Sequence, residues 1–260
     1  MRLLFSKRHF LAMLLCCGLA PSAFSQSHIE KLAQDGLWLT EQYPPYHFEQ
    51  EGKIIGLGIT ILNTIFERNQ INFKLNDKVL VYPWARAVRE LSSNPRAIVI
   101  SMSHTEQRAS LFKLSEPLFY ESISLITLAE HDISLPHPDS IARFSIGAVR
   151  DDIGEKLVKE MTSKPFRMIH VQTSEELIQL LIRKRVKVIA YSKDIIDYQI
   201  RQLGLPRKDF KVLKVMRDMP STVAFNKDTD TELFHFVNEN IKKLREDGTI
   251  AELLKRLRQQ

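Results

Sequence analysis

"AIVISMSHTEQRASLF", residues 97–112, decides how the rest of the chain is read. Ala97, Ile98, Val99 and Ile100 have the form of a strand buried on both faces, as in a parallel sheet. The strand ends in Ser101 and Ser103, leaving small hydroxyls at its carboxyl end. Thr105 has the character of a helix N-cap, which puts Arg108 in the first turn. The helix dipole is already positive there and disfavours a cation. An arginine so placed has an anion to meet. That anion is either a ligand or a structural partner, Glu106 or Glu116.

Working outward, strand-like and helix-like runs alternate from end to end. Leu37–Thr40 reads as a strand, followed by a loop, "EQYPPYHFEQEGK" (41–53). "GLGITILNTIFERN" (56–69) carries a helical stripe at Ile61, Leu62, Ile65 and Phe66. "INFKL" (71–75) reads as a strand. "YPWARAVREL" (82–91) reads as a helix, with Pro83 in its first turn and Trp84, Ala87, Val88 and Leu91 on one face. Beyond residue 140, strands are read at 144–149, 166–171, 186–191, 210–215 and 221–226. Helices are read at 154–161, 173–184 and 194–204, the second opening with a capping box from Thr173 to Glu176. Two terminal helices follow, the first carrying Leu233, Val237, Ile241 and Leu244 and stopped at Gly248. This order implies mostly parallel sheets covered by helices. With no flexible linker, two α/β lobes are expected, each with its own sheet, joined by strands near Ser122–Thr127 and Met219–Ala224.

Residues 1–25 read as a cleaved secretory signal: basic Arg2, Lys7 and Arg8, an apolar run from Phe10 to Leu19, and small residues before the cut. Both cysteines, Cys16 and Cys17, lie inside it, so the exported chain is expected to have no disulfide and no thiolate metal site. About 235 residues remain, enough for one large domain or two ordinary ones. Losing the three basic residues lowers the formal charge from +6 to +3, too mild to argue for nucleic acid. The nucleophile elbow, the phosphate-binding loop, the zinc-protease helix and the dinucleotide glycines are missing. Histidines are scattered, and the adjacent Asp151 and Asp152 read as a solvated or capping pair rather than a catalytic dyad. No enzyme activity, cofactor or metal is expected.

Polar and aromatic residues instead collect where strands end, the place where parallel α/β sheets bind ligands. Tyr43 and Tyr46 bracket two prolines after the first strand, and Trp84 and Arg86 open a helix. Ser101, Ser103 and Arg108 follow the 97–103 strand; Arg150 and Gly154 lie between a strand and a helix; Tyr191 and Ser192 end another strand. Aromatics make flat walls, hydroxyls orient, and arginine clamps carboxylates. The structural alternatives are a core role for Trp84, a surface place for Arg86, and loop packing for Tyr46.

The segments "YPPYHFEQEGKIIGLGITILNTIFER", "SMSHTEQR", "GAVRDDIG" and "VAFNKD" resemble the bacterial extracellular solute-binding proteins of family 3, the polar amino-acid class of periplasmic binding proteins. The resemblance spans the mature chain. It implies the type II periplasmic-binding-protein fold, with lobe one at residues 26–124 plus 222–260 and lobe two at 125–221, closing like a flytrap on a small solute. It implies a periplasmic, monomeric protein that docks an inner-membrane ABC permease. A sensor subunit serving a membrane receptor is one alternative; a cyclohexadienyl dehydratase-like enzyme is another, which needs a general acid in the cleft, and a carboxylate near the positions of Trp84 to Arg108 is not evident. By position, Ser101 would offer its carbonyl to the ligand ammonium and Ser103 its hydroxyl and N–H to the carboxylate, with Arg108 as clamp. Tyr43 and Trp84 would sandwich the ligand, Arg150 would face its side chain, and Gly154 would donate an N–H. Tyr191 and Ser192 would contact it from the second lobe. One departure stands out: Ser192 lies where the family commonly has an aspartate for the α-ammonium, and Asp194 reads as a helix cap. A carboxylate without a free ammonium, or a more anionic solute held by Arg108 and Arg150, fits that change.

Overall fold

The structure, a computed structural model, describes residues 20–257. Most of the segment read as an export signal, with both cysteines, lies outside the described residues. The chain opens with α1 (Ala20–Asp35), β1 (Leu37–Thr40), β2 (Phe48–Gln50), β3 (Lys53–Ile55), α2 (Leu57–Arg68), β4 (Leu80–Val81), α3 (Trp84–Ser93), β5 (Ala97–Ser103) and α4 (Glu106–Leu111). A long strand, β6 (Lys113–Leu128), leads into β7 (Ser145–Val149), α5 (Ile153–Met161), β8 (Arg167–Val171), α6 (Ser174–Ile182), β9 (Val188–Ser192) and α7 (Lys193–Gln202). A second long strand, β10 (Phe210–Phe225), returns to α8 (Thr231–Glu246) and α9 (Thr249–Leu257). No described helix is long and apolar enough to cross a membrane.

The halves are each parallel where the βα order predicts it: β4, β1 and β5 in one, β9, β7 and β8 in the other. The expectation of separate sheets needs correction. β6 and β10 run antiparallel to each other over 16 residues apiece, from Lys113 opposite Phe225 to Leu128 opposite Phe210. β5 joins β10 at its Ser221–Phe225 end, while β9 joins β6 at Ile123–Ile126. The result is one eight-stranded ladder with a two-strand bridge in the middle. The physical reason is that two chain crossings side by side satisfy each other's backbone groups, which the ladder would otherwise lose at the waist. The runs read as two strands, 210–215 and 221–226, are therefore one, interrupted by register shifts near Val212, Val215 and Ser221 that increase its twist.

Two local readings also change. Residues 71–75 make no strand. Ile71 and Phe73 are buried, Phe73 packing on Trp38 and Phe66, but the ladder position beside β1 is taken by Leu80–Val81. The loop at 41–53 contains the β2–β3 hairpin, turned by Glu51 and Gly52 with φ of 53° and 74°. Both positive values belong to the primed turn that suits a twisted hairpin. The other helices follow their signals. Thr173 Oγ1 accepts the Glu176 N–H at 3.2 Å, although the Glu176 carboxylate answers one residue earlier, at the Gln172 N–H. The α2 stripe, Ile61, Leu62, Ile65 and Phe66, is buried as its spacing requires.

Gly154 holds the second half together at close quarters. A Cβ there would lie 2.4 Å from the Ala190 carbonyl oxygen, so α5 sits on β9 only because the side chain is missing. Gly154→Ala is expected to cost about 1–3 kcal/mol by overpacking, lowering the melting temperature by roughly 2–10 °C. A thermal melt checks it; an unchanged midpoint means that the helix slides at no cost.

Candidate functional site

The loops after β1 and β5, the start of α3, the N-terminus of α5 and the end of β9 face one another across the β6–β10 bridge. Ser101 has φ of 68° inside β5, an unfavourable value for a non-glycine residue, and the β5–β10 register slips beside it. Such an outlier is worth about 1–3 kcal/mol of strain and marks a place where the fold dictates backbone direction. The buried Ser101 hydroxyl has no hydrogen-bond partner. Thr105 caps α4 by accepting the Arg108 N–H at 3.1 Å, as its sequence position predicts.

Arg108 Nη1 donates to the Ser103 carbonyl at 3.1 Å, and its guanidinium lies 5.0 Å from the Trp84 ring centre. Among the described residues, no carboxylate is within 4.0 Å of it. The structural bridge to Glu106 or Glu116 is absent, and both of those residues are exposed. Burial lowers the pKa of Arg108, while Asp152, Glu121, Tyr43 and Glu41 act to keep its charge.

Three carboxylates enter the cleft that the sequence reading did not single out as site residues. Glu121, on β6, accepts the Tyr43 hydroxyl and, at 3.2 Å, the Ser103 hydroxyl. Burial raises its pKa to about 7 against the pull of those two donors and of Ser192, with Asp152 adding to the rise. Glu41, just after β1, is raised well above the usual range by burial and then by Asp152 and Glu121. Asp152 is the α5 N-cap, accepting the Gly154 N–H at 3.3 Å; burial raises its pKa and Arg108 opposes the rise. Among the described residues no three His, Cys, Asp or Glu side chains are grouped to hold a metal, so these acids ring the cleft rather than converge. The earlier absence of a cleft carboxylate is thus corrected. A lone acid in the apolar strand around Glu121 was its signal in the sequence.

Aromatic rings wall the cleft. Tyr43 stacks on His47 at 5.2 Å and meets Tyr191 edge-on at 5.7 Å. His47 bonds Thr40 Oγ1 at 2.6 Å, and burial lowers its pKa to about 4, so it is a neutral wall at pH 7. Trp84, 3% exposed, reaches over to the other half by donating Nε1–H to the Asp151 carbonyl at 3.0 Å. Tyr46 lies flat on Phe119, ring centres 3.9 Å apart, and its hydroxyl donates to Asp194 at 2.8 Å. Asp194 is therefore a tie between halves and not the α7 cap; Ser192 occupies the N-cap position. Tyr46→Phe keeps the stack and removes the tie. The expected result is a shift towards the open form, read as a larger scattering radius of gyration, and a roughly 2- to 10-fold loss of solute affinity from one lost hydrogen bond. Equal radii in both proteins would show that the tie does not bias closure.

Three candidates take other places. Arg86 is exposed and stacks on Tyr82, 3.8 Å from the ring centre. Arg150 is exposed and its N–H pairs with the Val171 carbonyl, so solvation rather than the cleft claims its charge. The Gly154 N–H is occupied by the Asp152 cap. Ser103, Arg108, Tyr43, Tyr191 and Ser192 do come together, through Glu121, the Ser103 carbonyl and the Tyr43–Tyr191 ring contact, the last two fully buried on β9; Ser101 is buried on β5.

Solved structures with this fold cover nearly the whole chain. A mutant of ArgBP from T. maritima matches with TM-score 0.75 and 16% identity over 91% of this chain and 100% of that one. The amino acid ABC transporter substrate-binding protein AbpA from Streptococcus pneumoniae, bound to L-arginine, matches with TM-score 0.72 and 18% identity over 89% and 97%. The ancestral amino acid-binding protein AncCDT-1, a precursor of cyclohexadienyl dehydratase, matches with TM-score 0.72 and 18% identity over 90% and 98%. At these identities the likeness is one of fold. The model of the bacterial extracellular solute-binding proteins, family 3, matches residues 38–259. With that match over most of its length, and with its strand-end cleft straddling two crossing strands, this chain belongs to the bacterial extracellular solute-binding proteins, family 3.

Proposed function

We propose that the chain captures an amino-acid-like solute in the periplasm, between a lobe of residues 26–124 plus 222–260 and a lobe of residues 125–221, and delivers it to an inner-membrane ABC permease. The observation that carries this reading is the Arg108 guanidinium, held by Ser103 and Trp84 with no carboxylate of the described residues in ion-pair reach; the buried hydroxyls of Ser101 and Tyr191, at strand ends, are unpartnered as well. Arg108 takes the solute carboxylate through paired charge-assisted hydrogen bonds. Glu121, next to Ser192, supplies the negative charge for an α-ammonium that the residue at 192 itself lacks. Contacts from both lobes favour the closed state, so solute shifts the hinge population about β6 and β10. A thermal-shift screen of amino acids and related solutes on the mature protein tests it. A rise in melting temperature with at least one such solute is expected; no response to any amino acid or carboxylate would overturn the reading.

A second reading has its own observation. Glu121 is a buried acid with a pKa of about 7, the protonation needed for a general acid at neutral pH. Dehydratase-like turnover is checked by NMR of each screening hit incubated with the protein, where recovery of the unchanged solute excludes it.

A further inference from the structure

The bond from Trp84 to the Asp151 carbonyl, 3.0 Å long, joins the two halves through a residue in an unfavourable conformation. Asp151, in the turn between β7 and α5, is exposed and has φ of 60°, a left-handed value that a non-glycine residue keeps only when its surroundings impose it. Glu155 supplies that constraint from one turn into α5. Its Oε2 accepts the Asp151 N–H at 2.8 Å. The two backbone groups of Asp151 are thus divided: the N–H is held inside the second half, and the carbonyl is offered to the first.

Glu155 is itself fixed. It is buried, Lys159 pairs with its Oε1, and His170 Nε2, on β8, stands 3.0 Å from the same oxygen. Burial acts to raise its pKa, but Lys159, the Asp151 N–H and His170 hold the carboxyl below its usual range. α5 has no room to shift towards β9, because Gly154 already lies against the Ala190 carbonyl. A satisfied, buried network of this kind is rigid. α6 makes the same reach, from Glu176 to the Gln172 N–H at 2.8 Å, yet among the described residues Gln172 has no hydrogen bond to the first half. Reaching back is therefore an ordinary way to start a helix. What α5 adds is an acceptor for the other half.

We propose that Glu155 is a positioning residue for closure: by holding Asp151 in its left-handed conformation it presents the Asp151 carbonyl to Trp84 and keeps the halves tied before any solute arrives. This rests on the reading of the chain as two lobes that close on a solute, and it adds a residue that acts through Asp151. The Trp84 ring fixed in this way is also the one beneath the Arg108 guanidinium, so the same contact steadies the clamp.

The test is hydrogen exchange of the two indole N–H groups, followed by NMR in the mature protein without solute, with Trp38→Phe to assign the signals. Trp38, whose Nε1–H donates to the Ala33 carbonyl at 2.9 Å within the first half, serves as internal control. In the wild type the Trp84 N–H is expected to exchange at least about 10-fold more slowly than a free indole. Glu155→Ala should speed that exchange by roughly 3- to 10-fold, the hold of one hydrogen bond, and leave Trp38 unchanged. Glu155→Gln keeps an oxygen that accepts the Asp151 N–H and should retain most of the protection. Glu176→Ala cuts the matching reach in α6 and should leave Trp84 as it is. A Trp84 N–H that is unprotected in the wild type, or equally slow in Glu155→Ala, overturns the proposal. Equal speeding of Trp38 and Trp84, or the same speeding in Glu176→Ala, makes Glu155 a structural residue of the second half and overturns it as well. No solute enters the measurement, so a failure here leaves the solute-capture reading to its own thermal-shift screen.

Discussion

Arg108→Ala lowers affinity for the best solute by roughly 30-fold to 1000-fold while the melting temperature of the ligand-free protein falls only slightly. The affinity loss follows from a paired, charge-assisted contact in a closed cleft, worth on the order of 2–4 kcal/mol. The small stability loss follows from what Arg108 touches: one carbonyl, that of Ser103, and the face of Trp84, with no carboxylate in ion-pair reach. Those contacts amount to about 1–2 kcal/mol. Arg108→Lys restores only part of the affinity, because an ammonium lacks the planar fork. Titration calorimetry and thermal melts of the three proteins measure both quantities. Intact affinity with a large fall in melting temperature would make Arg108 a structural residue and remove the carboxylate clamp.

Solute affinity rises with pH and levels off near neutrality. Glu121 is raised to about 7 by burial in the closed cleft, and by Asp152; when the cleft opens to water it returns towards its ordinary value of 4.5. Between those pH values the closed form without solute holds a proton that the open form does not. Acid therefore favours closure without a solute and opposes a solute ammonium, which must displace that proton. The full affinity is present above pH 7 and is lost as pH falls, by at most about tenfold per unit and in proportion to the share of solute-free protein that is closed, because the open form holds no such proton between pH 4.5 and 7. Tyr43, Ser103, Ser192, Asp152 and Arg108 all face Glu121 or act on it, and burial raises Asp152 and Glu41 in the same direction, so the share of the slope that belongs to Glu121 is read from its Gln variant. Glu121→Gln should bind weakly and with a shallower pH slope. Calorimetry in matched buffers from pH 5 to 8 decides it: a flat wild-type profile, or an unchanged slope in Glu121→Gln, rules out Glu121 as the ammonium partner.

What was legible in the sequence and what was not divides along the range of the interactions. The buried run at 97–100, the Thr105 cap, the α2 stripe and the Thr173 cap are local patterns, and each element formed where its own residues called for it. From these and the resemblance, the α/β fold could be read in advance and the strand ends and Arg108 named as candidates, while the choice between a ligand and Glu106 or Glu116 for Arg108 stayed open. The hairpin at 48–55 was missed although its turn residues were local, because its strands are only three residues long. The single ladder, the failure of 71–75 to pair and the merging of two runs into β10 depend on which partner lies alongside.

The cleft's charge is of this second kind. Glu41, Glu121 and Asp152 are separated by 80 and 31 positions in the chain, and nothing near each one signals the others. By itself the sequence determined the fold class and the local elements, and it offered the strand-end residues and Arg108 as a candidate site, since periodicity, caps and strand ends are short-range chemistry. Only the tertiary structure decided that three acids surround that arginine. Burial and mutual repulsion, which raise their pKa values, exist only once the chain is folded around β6 and β10.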